Sequence, residues 1–182
     1  DMTDDDIAKL LKNAGCSSVT MSIDSGNERL RREVLKRYMT DEQIIRAFHI
    51  FKNVGLATRS NNILALPHST FENEVESIDL NIKSKVDYGA FTILVPYPKT
   101  GIGNFCQKEG LMDIDVDEYP ISFNSKSPLK CFTYKEKNVQ QNILELGPLA
   151  IWCPSLKNVI LKYLVHLPHN RVYTFIGFLV KG

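Results

Sequence analysis

The hydrophobic positions of the first hundred residues follow two periods in turn, that of a helix and that of a strand. The first helical face consists of Ile7, Leu10, Leu11 and Ala14. Thr3 can cap this helix at its start, and Gly15 can end it. Residues 18–23 then alternate between apolar and polar side chains, as a strand with one buried face does. The helical period returns after Asn27 and again after Thr40, so two further helices are predicted.

Two more extended runs follow, at residues 57–66 and 91–95, and each ends at a proline. Between them, Ser69 and Glu72 form a capping-box pattern ahead of another helical stripe. Strands that are joined by helix-length connections pair in parallel through right-handed crossovers. Three such strands cannot close a barrel by themselves. We therefore predict the α/β class, as a partial (β/α) TIM-type barrel with parallel strands and a helical C-terminal extension.

The pattern of the chain changes after Gly101. Residues 101–134 are rich in glycine, proline, serine and acidic residues, and they are predicted as an irregular connecting segment. Residues 135–182 are predicted as the helical extension, whose first helix spans residues 135–146, and residues 1–100 form the barrel part. The apolar ending, RVYTFIGFLVKG, predicts a helix that docks on the rest of the chain. A lipid-facing foot and the start of a longer element are the alternatives.

Composition changes this picture only modestly. The 182 residues are 43% hydrophobic and 24% charged, with a formal net charge of +1, which gives no support to nucleic-acid binding by bulk charge. No stretch approaches the roughly 20 apolar residues that a membrane-spanning helix needs. The chain opens without a basic and then apolar leader, inside an organised unit, so we expect a missing N-terminal portion.

The cysteines argue against a metal site within the chain. They are Cys16, Cys106, Cys131 and Cys153. No two of them have the spacing of zinc or iron–sulfur ligands, and they are too sparse for a secreted disulfide framework. We predict buried or incidental thiols, no metal ligands, and a cytoplasmic location.

Polar side chains stand at the ends of the predicted strands, where parallel α/β folds bind ligands. Ser22 and Asp24 share one face by the two-residue period, and Gly26 lets the backbone turn into the next helix. Polar groups at such a position are costly unless they bind something. Asn61 and Asn62 lie within the second strand, so one of them must face inward. The alternatives are that Asp24 merely caps the following helix and that the amides are solvated at a strand edge.

The order of these segments resembles the later half of a radical S-adenosylmethionine (SAM) enzyme core. The stretches AGCSSVTMSIDSGNERLRREVLKR, NNILALPHST and PYPKTG follow the superfamily patterns aGc…v.mGiESGne…vLkR, fnilGlPgET and PyPgT. The resemblance covers about residues 1–100. The tail that contains YKEKNVQQNILELGPLAIW is similar, more loosely, to the C-terminal extension of the cobalamin-binding class. That class is related to anaerobic magnesium-protoporphyrin monomethyl ester cyclase.

The resemblance implies a SAM molecule held across the mouth of the barrel. Ser22 and Asp24 match strand-end positions that contact the ribose or the methionine amine. Arg37 matches a basic position used for the methionine carboxylate, although it also fits a solvated charge at a helix end. Asn61 falls near a polar position that meets the ribose, and Val95 lies where backbone groups meet the adenine. The resemblance identifies no catalytic side chain.

The resemblance also implies a reaction and its partners. A 4Fe-4S cluster would reduce SAM to a 5′-deoxyadenosyl radical, followed by cobalamin-dependent methyl transfer or by modification of a tetrapyrrole or lipid. A small-molecule substrate and an electron donor such as flavodoxin or ferredoxin are implied, and peripheral membrane contact through residues 157–181 is left open. The CxxxCxxC motif of the cluster is absent, so its ligands are expected upstream and this chain alone is predicted to be inactive. The alternative is a non-catalytic half-barrel binding module.

Several positions depart from the family patterns. Ala65 and His68 replace the glycines of GlPgET, and Lys99 replaces the glycine of PyPgT. Asp24 stands where glutamate is commoner. Side chains at glycine positions that need a positive φ would be strained. His68 could also be a catalytic base, but a solvent-facing position in the loop is the favoured interpretation.

Overall fold

The structure of the protein, a computed structural model, describes residues 4–112 and 126–181. Its helices and strands, in chain order, are α1 (Asp5–Asn13), β1 (Ser18–Asp24), α2 (Glu28–Glu33), α3 (Asp41–Asn53), β2 (Ala57–Leu64), α4 (Phe71–Lys83), β3 (Tyr88–Ile93), α5 (Gly101–Lys108), α6 (Tyr134–Trp152), α7 (Lys157–Lys162) and α8 (Arg171–Lys181). The predicted order of elements through β3 is confirmed. Thr3 lies outside the described residues, and Asp4 caps α1 by accepting from the backbone N–H of Ile7 at 2.8 Å.

The strands form one parallel sheet in the order β1-β2-β3. Ser18 lies opposite Ala57, and Arg59 lies opposite Tyr88, so each strand pairs with the next along the chain. The helices α2 and α3 connect β1 to β2, and α4 connects β2 to β3. The predicted α/β class with parallel strands is confirmed, because helix-length connections return each strand to the same end of the sheet.

The two faces of the sheet differ in burial. One face packs on α3, α4 and α6, and its buried apolar side chains include Ile23, Leu64 and Ile93. The alternating positions of β1 and β2, among them Ser22 and Asn61, are exposed on the other face. The open face therefore carries the polar side chains that the two-residue period of a strand separates from the core.

A buried polar network joins β2 to α4 on the covered face. The side-chain amide of Asn81 donates to Asn62 Oδ1 at 2.8 Å and to the Ser77 carbonyl at 2.7 Å. Asn62 in turn donates to Ser60 Oγ at 2.9 Å and to the Ala90 carbonyl at 3.0 Å. Asn62 is thus the asparagine that faces the core, where its amide is paired as burial requires.

Capping boxes stabilise the starts of α3 and α4. Thr40 and Gln43 form the box of α3, as predicted from the sequence. The predicted box of Ser69 and Glu72 is wrong by one residue, because Thr70 caps α4 and Asn73 completes the box. The side chain of Ser69 is instead turned inward, where its hydroxyl donates to Glu74.

The C-terminal part differs from the sequence prediction at its start. The prediction of irregular structure from residue 101 is wrong for α5, whose N-terminus is capped by Thr100 at 3.0 Å from the Gly103 N–H. The rest of the predicted irregular segment lies partly outside the described residues. Helix α6 is longer than predicted and continues through Pro148. Helix α8 packs against α6, so the prediction of a docking helix is confirmed.

Within residues 4–112 and 126–181, no helix combines the length and apolar character needed to cross a membrane.

Candidate functional site

The exit of β1 brings three of the predicted site residues together. The Arg37 Nε lies 3.4 Å from Asp24 Oδ2, and the side chain of Ser22 forms a hydrogen bond with the Asp24 carboxyl. Asp24 is buried, whereas the Arg37 side chain is 61% exposed. Within the described ranges, Asp24 Oδ2 has no hydrogen-bond partner. A buried acceptor that forms an ion pair with Arg37 but no hydrogen bond can still accept one from a ligand.

Burial and neighbouring polar groups act on the pKa of Asp24 in opposite directions. Burial raises the pKa of Asp24 above its ordinary value. The charge of Arg37, the hydrogen bond with Ser22 and the charge of Arg31 act in the opposite direction. A cation that replaced solvent near Oδ2 would favour the ionised carboxylate. The site is therefore suited to an ammonium or another positively charged donor.

A bulge explains why Ser22 and Asp24 touch. The register of β1 against β2 shifts between these two residues, so that Ser22 lies opposite Asn61 and Asp24 lies opposite Asn62. Asp24 adopts a φ of 63°, a left-handed conformation that is unusual for a residue other than glycine. The predicted simple alternation therefore ends at Ser22. The bulge turns the carboxyl of Asp24 into the end of the strand, as bulges near active sites do.

The alternative role of Asp24 as a helix cap is contradicted by the structure. Asn27 caps α2, accepting from the Leu30 N–H at 3.0 Å. Gly26 is needed for a reason other than the predicted sharp turn. A Cβ on this residue would lie 2.2 Å from the backbone of Glu76 and Ser77 in α4, and its N–H donates to Ser77 Oγ at 2.8 Å. The loop after β1 thus rests directly on α4.

Arg31 is a buried residue of this region that the sequence did not single out. Its guanidinium donates to the Ser25 carbonyl at 2.6 Å and to Asp41 Oδ1 at 2.5 Å, and it contacts the Met39 carbonyl at 3.3 Å. These bonds tie the loop after β1 to the start of α3. Because Arg37 lies in the loop between the two anchor points, Arg31 fixes the segment that presents Arg37 to Asp24.

Two cavities adjoin the Asp24–Arg37 pair. The first, of about 580 Å³, lies beside the free edge of β1 and is also lined by Ser22, Gln43 and Phe48. The second, of about 470 Å³, lies towards α5, where its lining residues include Ile63, Thr100 and Ile102. Both volumes are in the range of small-molecule and cofactor sites. A ligand that lies across the end of the sheet would meet the pair in either cavity.

The other two predicted site residues lie nearby without joining the pair. Asn61 is exposed and directly opposite Ser22 in the parallel ladder, so their side chains share the open face. Val95 is buried just beyond β3, and its side chain lines neither cavity. In the described part of the chain, its backbone groups form no hydrogen bond with another backbone group. This arrangement is compatible with the predicted backbone contact.

The predicted strain at the glycine-replacing positions is confirmed. Ala65, His68 and Lys99 have φ values of 59°, 62° and 64°. All three lie in the left-handed region, where a Cβ is unfavourable. His68 is exposed, as expected for a loop residue in contact with solvent. The loops after β2 and β3 therefore hold these three side chains in a backbone conformation that favours glycine.

We expect Lys99→Gly to stabilise the protein by up to about 1 kcal/mol, because glycine adopts a positive φ without steric cost. Chemical denaturation measures the change. The matched control is Lys83→Gly in the last turn of α4, which is expected to destabilise by up to about 1 kcal/mol because it lies in a helix. A loss of stability in Lys99→Gly would contradict the assigned strain.

Glu74 is a second buried residue that the sequence did not reveal. Its Oε1 accepts from the Ala65 N–H at 2.9 Å and from the Ser69 hydroxyl at 3.0 Å. Burial raises its pKa to about 7, and these two hydrogen bonds act in the opposite direction. Glu74 thus holds the strained loop after β2. Its position in the first turn of an amphipathic helix gave no sign that it would face inward.

Comparison with known proteins relates the first part of the chain to a known family. Residues 1–80 match the family model described as Radical SAM superfamily. The chain is 31% identical over 106 residues to an uncharacterized methyltransferase of Pyrococcus horikoshii, an alignment that covers 58% of this chain and 23% of the relative. The family match therefore includes β1, the bulge and the Asp24–Arg37 pair.

Two solved structures share the fold. Coproporphyrinogen III oxidase (HemN) from Escherichia coli, a radical SAM enzyme, has a TM-score of 0.54 and 16% identity, with 86% of this chain and 30% of that chain covered. The radical SAM methyltransferase TsrM from Kitasatospora setae, solved with cobalamin and a [4Fe-4S] cluster bound, has a TM-score of 0.56 and 16% identity. Its alignment covers 98% of this chain and 42% of that chain. The chain thus spans less than half the length of each of these three proteins.

The residues of this chain fit SAM better than they fit an iron–sulfur cluster. The buried Asp24 Oδ2 offers an acceptor for the ammonium group of SAM, and the adjoining cavities offer space for a small-molecule cofactor. By contrast, the described residues contain no group of three or more His, Cys, Asp or Glu that could hold a metal ion. The sequence contains no CxxxCxxC motif. Cluster ligands are therefore not assigned to any residue of this chain.

Proposed function

We propose that the chain is part of a radical SAM enzyme and that it supplies part of the binding site for SAM. The observation that carries this proposal is the carboxyl of Asp24, which is buried at the exit of β1 with an unpaired Oδ2 and Arg37 beside it. The family match over residues 1–80 and the shared fold support the assignment.

Each predicted site residue has a distinct role in this proposal. Arg37 pairs with the methionine carboxylate, for which an exposed guanidinium is suited because it can donate two parallel hydrogen bonds. Asp24 accepts from the methionine ammonium group, and Ser22 orients the Asp24 carboxyl. Asn61 binds a ribose hydroxyl from the open face of the sheet. The backbone of Val95 contacts the adenine edge.

In the proposed parent enzyme, a 4Fe-4S cluster with ligands outside these 182 residues would supply the electron that cleaves SAM to methionine and a 5′-deoxyadenosyl radical. The similarity to a protein named as a methyltransferase and to TsrM supports methyl transfer, with cobalamin as a further cofactor, over other outcomes. The substrate is a small molecule, possible examples being a tetrapyrrole or a lipid. An electron donor of the flavodoxin or ferredoxin type and a cytoplasmic location remain parts of the same proposal.

Calorimetric titration of the chain with SAM tests the proposed site. Arg37→Ala and Asp24→Asn are each expected to weaken binding at least about tenfold, because each removes one partner of a charged group of the ligand. The matched control is Arg32→Ala on α2, whose guanidinium forms an exposed ion pair with Glu28. The assignment is wrong if all three variants bind SAM as tightly as the unaltered chain.

The second candidate function is a non-catalytic half-barrel that binds SAM or a related ligand without a cluster. The absence of a CxxxCxxC motif from the sequence favours it. The coding sequence immediately upstream separates the two candidates. A CxxxCxxC motif there supports the enzyme, whereas a start codon near Met2 supports the binding module.

We also expect the isolated chain to form no stable cluster. After anaerobic incubation with iron and sulfide, its visible absorption is expected to match that of a variant in which all four cysteines are replaced by serine. A stable four-iron spectrum from the unaltered chain alone would contradict this expectation.

A further inference from the structure

A third cavity, of about 280 Å³, lies between the start of α4 and the first half of α6, and it shares no lining residue with the two cavities at Asp24. Its apolar lining includes Phe71, Phe132 and Val139. The ring of His166 also lines it and packs on Phe71 with a centroid separation of 5.2 Å. The cavity thus combines aromatic and polar side chains on the covered side of the sheet.

Two buried polar side chains line this space. Glu74 is only 4% exposed, and both of its hydrogen bonds go to Oε1. Within the described ranges, its Oε2 accepts no hydrogen bond. Gln140 lines the same cavity, and its Oε1 has no partner among the described residues. The buried, unpaired Oε1 of Gln140 and the Glu74 carboxyl oxygen without a hydrogen bond both favour a ligand that donates hydrogen bonds.

The charges around the cavity favour a positively charged donor. Lys135 and Glu136 both line it from α6, so their opposite charges offset each other. The Glu136 carboxylate is also occupied, because it accepts from the Thr133 hydroxyl at 2.6 Å and from the Thr133 N–H at 2.7 Å. Glu74 is therefore the carboxyl in this lining that keeps an oxygen free for a ligand. His166 is the remaining titratable group that faces the cavity.

We propose that this cavity binds a small primary ammonium ion with an aryl or alkyl body. The ammonium group donates a hydrogen bond to Glu74 Oε2, and the apolar body packs against Phe71 and Phe132. The volume is slightly below the usual range of ligand pockets, so the ligand is smaller than a typical drug. The site is independent of the proposed SAM site and of its cofactors.

Binding of such a cation is expected to depend on pH. Since the pKa of Glu74 is raised to about 7 by burial, the carboxyl is mostly protonated below neutral pH. A protonated carboxyl lacks the charge that attracts an ammonium ion. Affinity is therefore expected to rise roughly tenfold from about pH 6 to about pH 8.5, a range in which a primary amine stays protonated.

Calorimetric titration of the chain with phenethylammonium chloride at these two pH values tests the proposal. The neutral analogue 2-phenylethanol has the same body, and it is expected to bind more weakly at the higher pH and with little pH dependence. Equal affinities for the two probes at the higher pH would overturn the proposal. So would the absence of measurable phenethylammonium binding.

Variants of α4 complete the test. Glu74→Gln is expected to weaken phenethylammonium binding about tenfold at the higher pH and to abolish the pH dependence. Glu72→Gln, which changes an exposed carboxyl in the same helical turn, is expected to leave the affinity and its pH dependence unchanged. The proposal fails if the two variants bind alike. If Glu74→Gln does not fold, the affinities of the unaltered chain for the two probes at the two pH values are sufficient to test the proposal.

Discussion

Gly26→Ala is expected to destabilise the protein by at least about 3 kcal/mol, the largest effect among the substitutions considered. The added Cβ would lie 2.2 Å from the carbonyl carbon of Glu76 and from the backbone nitrogen of Ser77. Because both contacts are with helix backbone, no side-chain rotation can relieve them. The loop after β1 must move away from α4, which also breaks the hydrogen bond from the Gly26 N–H to Ser77 Oγ. Urea denaturation measures the change.

The matched control for this prediction is Gly101→Ala. Gly101 is the first residue of α5, and a Cβ there would have no heavy atom within 4 Å. Its stability is expected to stay within about 1 kcal/mol of the original, with a slight gain from helix propensity. Similar losses in both variants would show that the close approach of the loop to α4 is not the cause. Because the same loop carries Asp24, Gly26→Ala is also expected to weaken SAM binding.

Glu74→Gln is expected to stabilise the protein at high pH and to have little effect at low pH. The pKa of the Glu74 carboxyl is raised by burial from 4.5 to about 7 in the folded state. In the unfolded chain the carboxyl ionises near its ordinary pKa, so the unfolded state loses its proton first as pH rises. Folding stability therefore falls between about pH 4.5 and about pH 7, by about 3 kcal/mol in total. Glutamine stays neutral and can still accept from the Ala65 N–H.

The measurement is the free energy of unfolding of both proteins at about pH 4 and about pH 8. The variant is expected to be more stable than the original at the higher pH by about 3 kcal/mol, and the two are expected to be similar at the lower pH. Glu72→Gln, on the exposed side of α4, is the control; because hydrogen bonds at the helix start lower the pKa of Glu72, its replacement is expected to give no gain in stability at the higher pH. Destabilisation by Glu74→Gln at the higher pH would show that the ionised carboxylate is required for the fold.

The alternation of helix and strand periods is sufficient to predict most of the fold. Thr40 and Gln43 identified the start of α3 correctly, because a capping box depends only on neighbouring residues. The failures lie where contacts between distant residues override local preference. Helix α6 continues through Gly147 and Pro148, because Gly147 lets α6 approach the ring of Phe91, whose nearest atom would lie 2.8 Å from an added Cβ. No local pattern contains that information.

The candidate site was predictable only in part, because local patterns indicate its strand residues but not the contacts between distant residues. The two-residue period and the family patterns indicated Ser22 and Asp24, and both lie at the exit of β1. The bulge that joins them was not predictable, because an inserted residue is visible only in the pairing with β2. Arg31 was also missed. It lies among several charged residues of α2, and its burial depends on the position of Asp41 ten residues later.

Two residues that replace glycines of the family patterns adopt a backbone conformation that favours glycine. The family patterns identified Ala65 and Lys99 as departures from glycine, and both have a positive φ. Ala65 is buried, so glycine there would lose about as much apolar contact as it gains in backbone freedom. Lys99 is exposed and has no such compensation.

The most direct test of the account is the map of backbone amide shifts that SAM produces in the NMR spectrum of the chain. We expect the largest shifts at the exits of the three strands, at the amides of Ser22, Asp24, Asn61 and Val95. Shifts that cluster instead on the covered face of the sheet, or a spectrum that SAM leaves unchanged, would contradict the claim that these exits form one cofactor site.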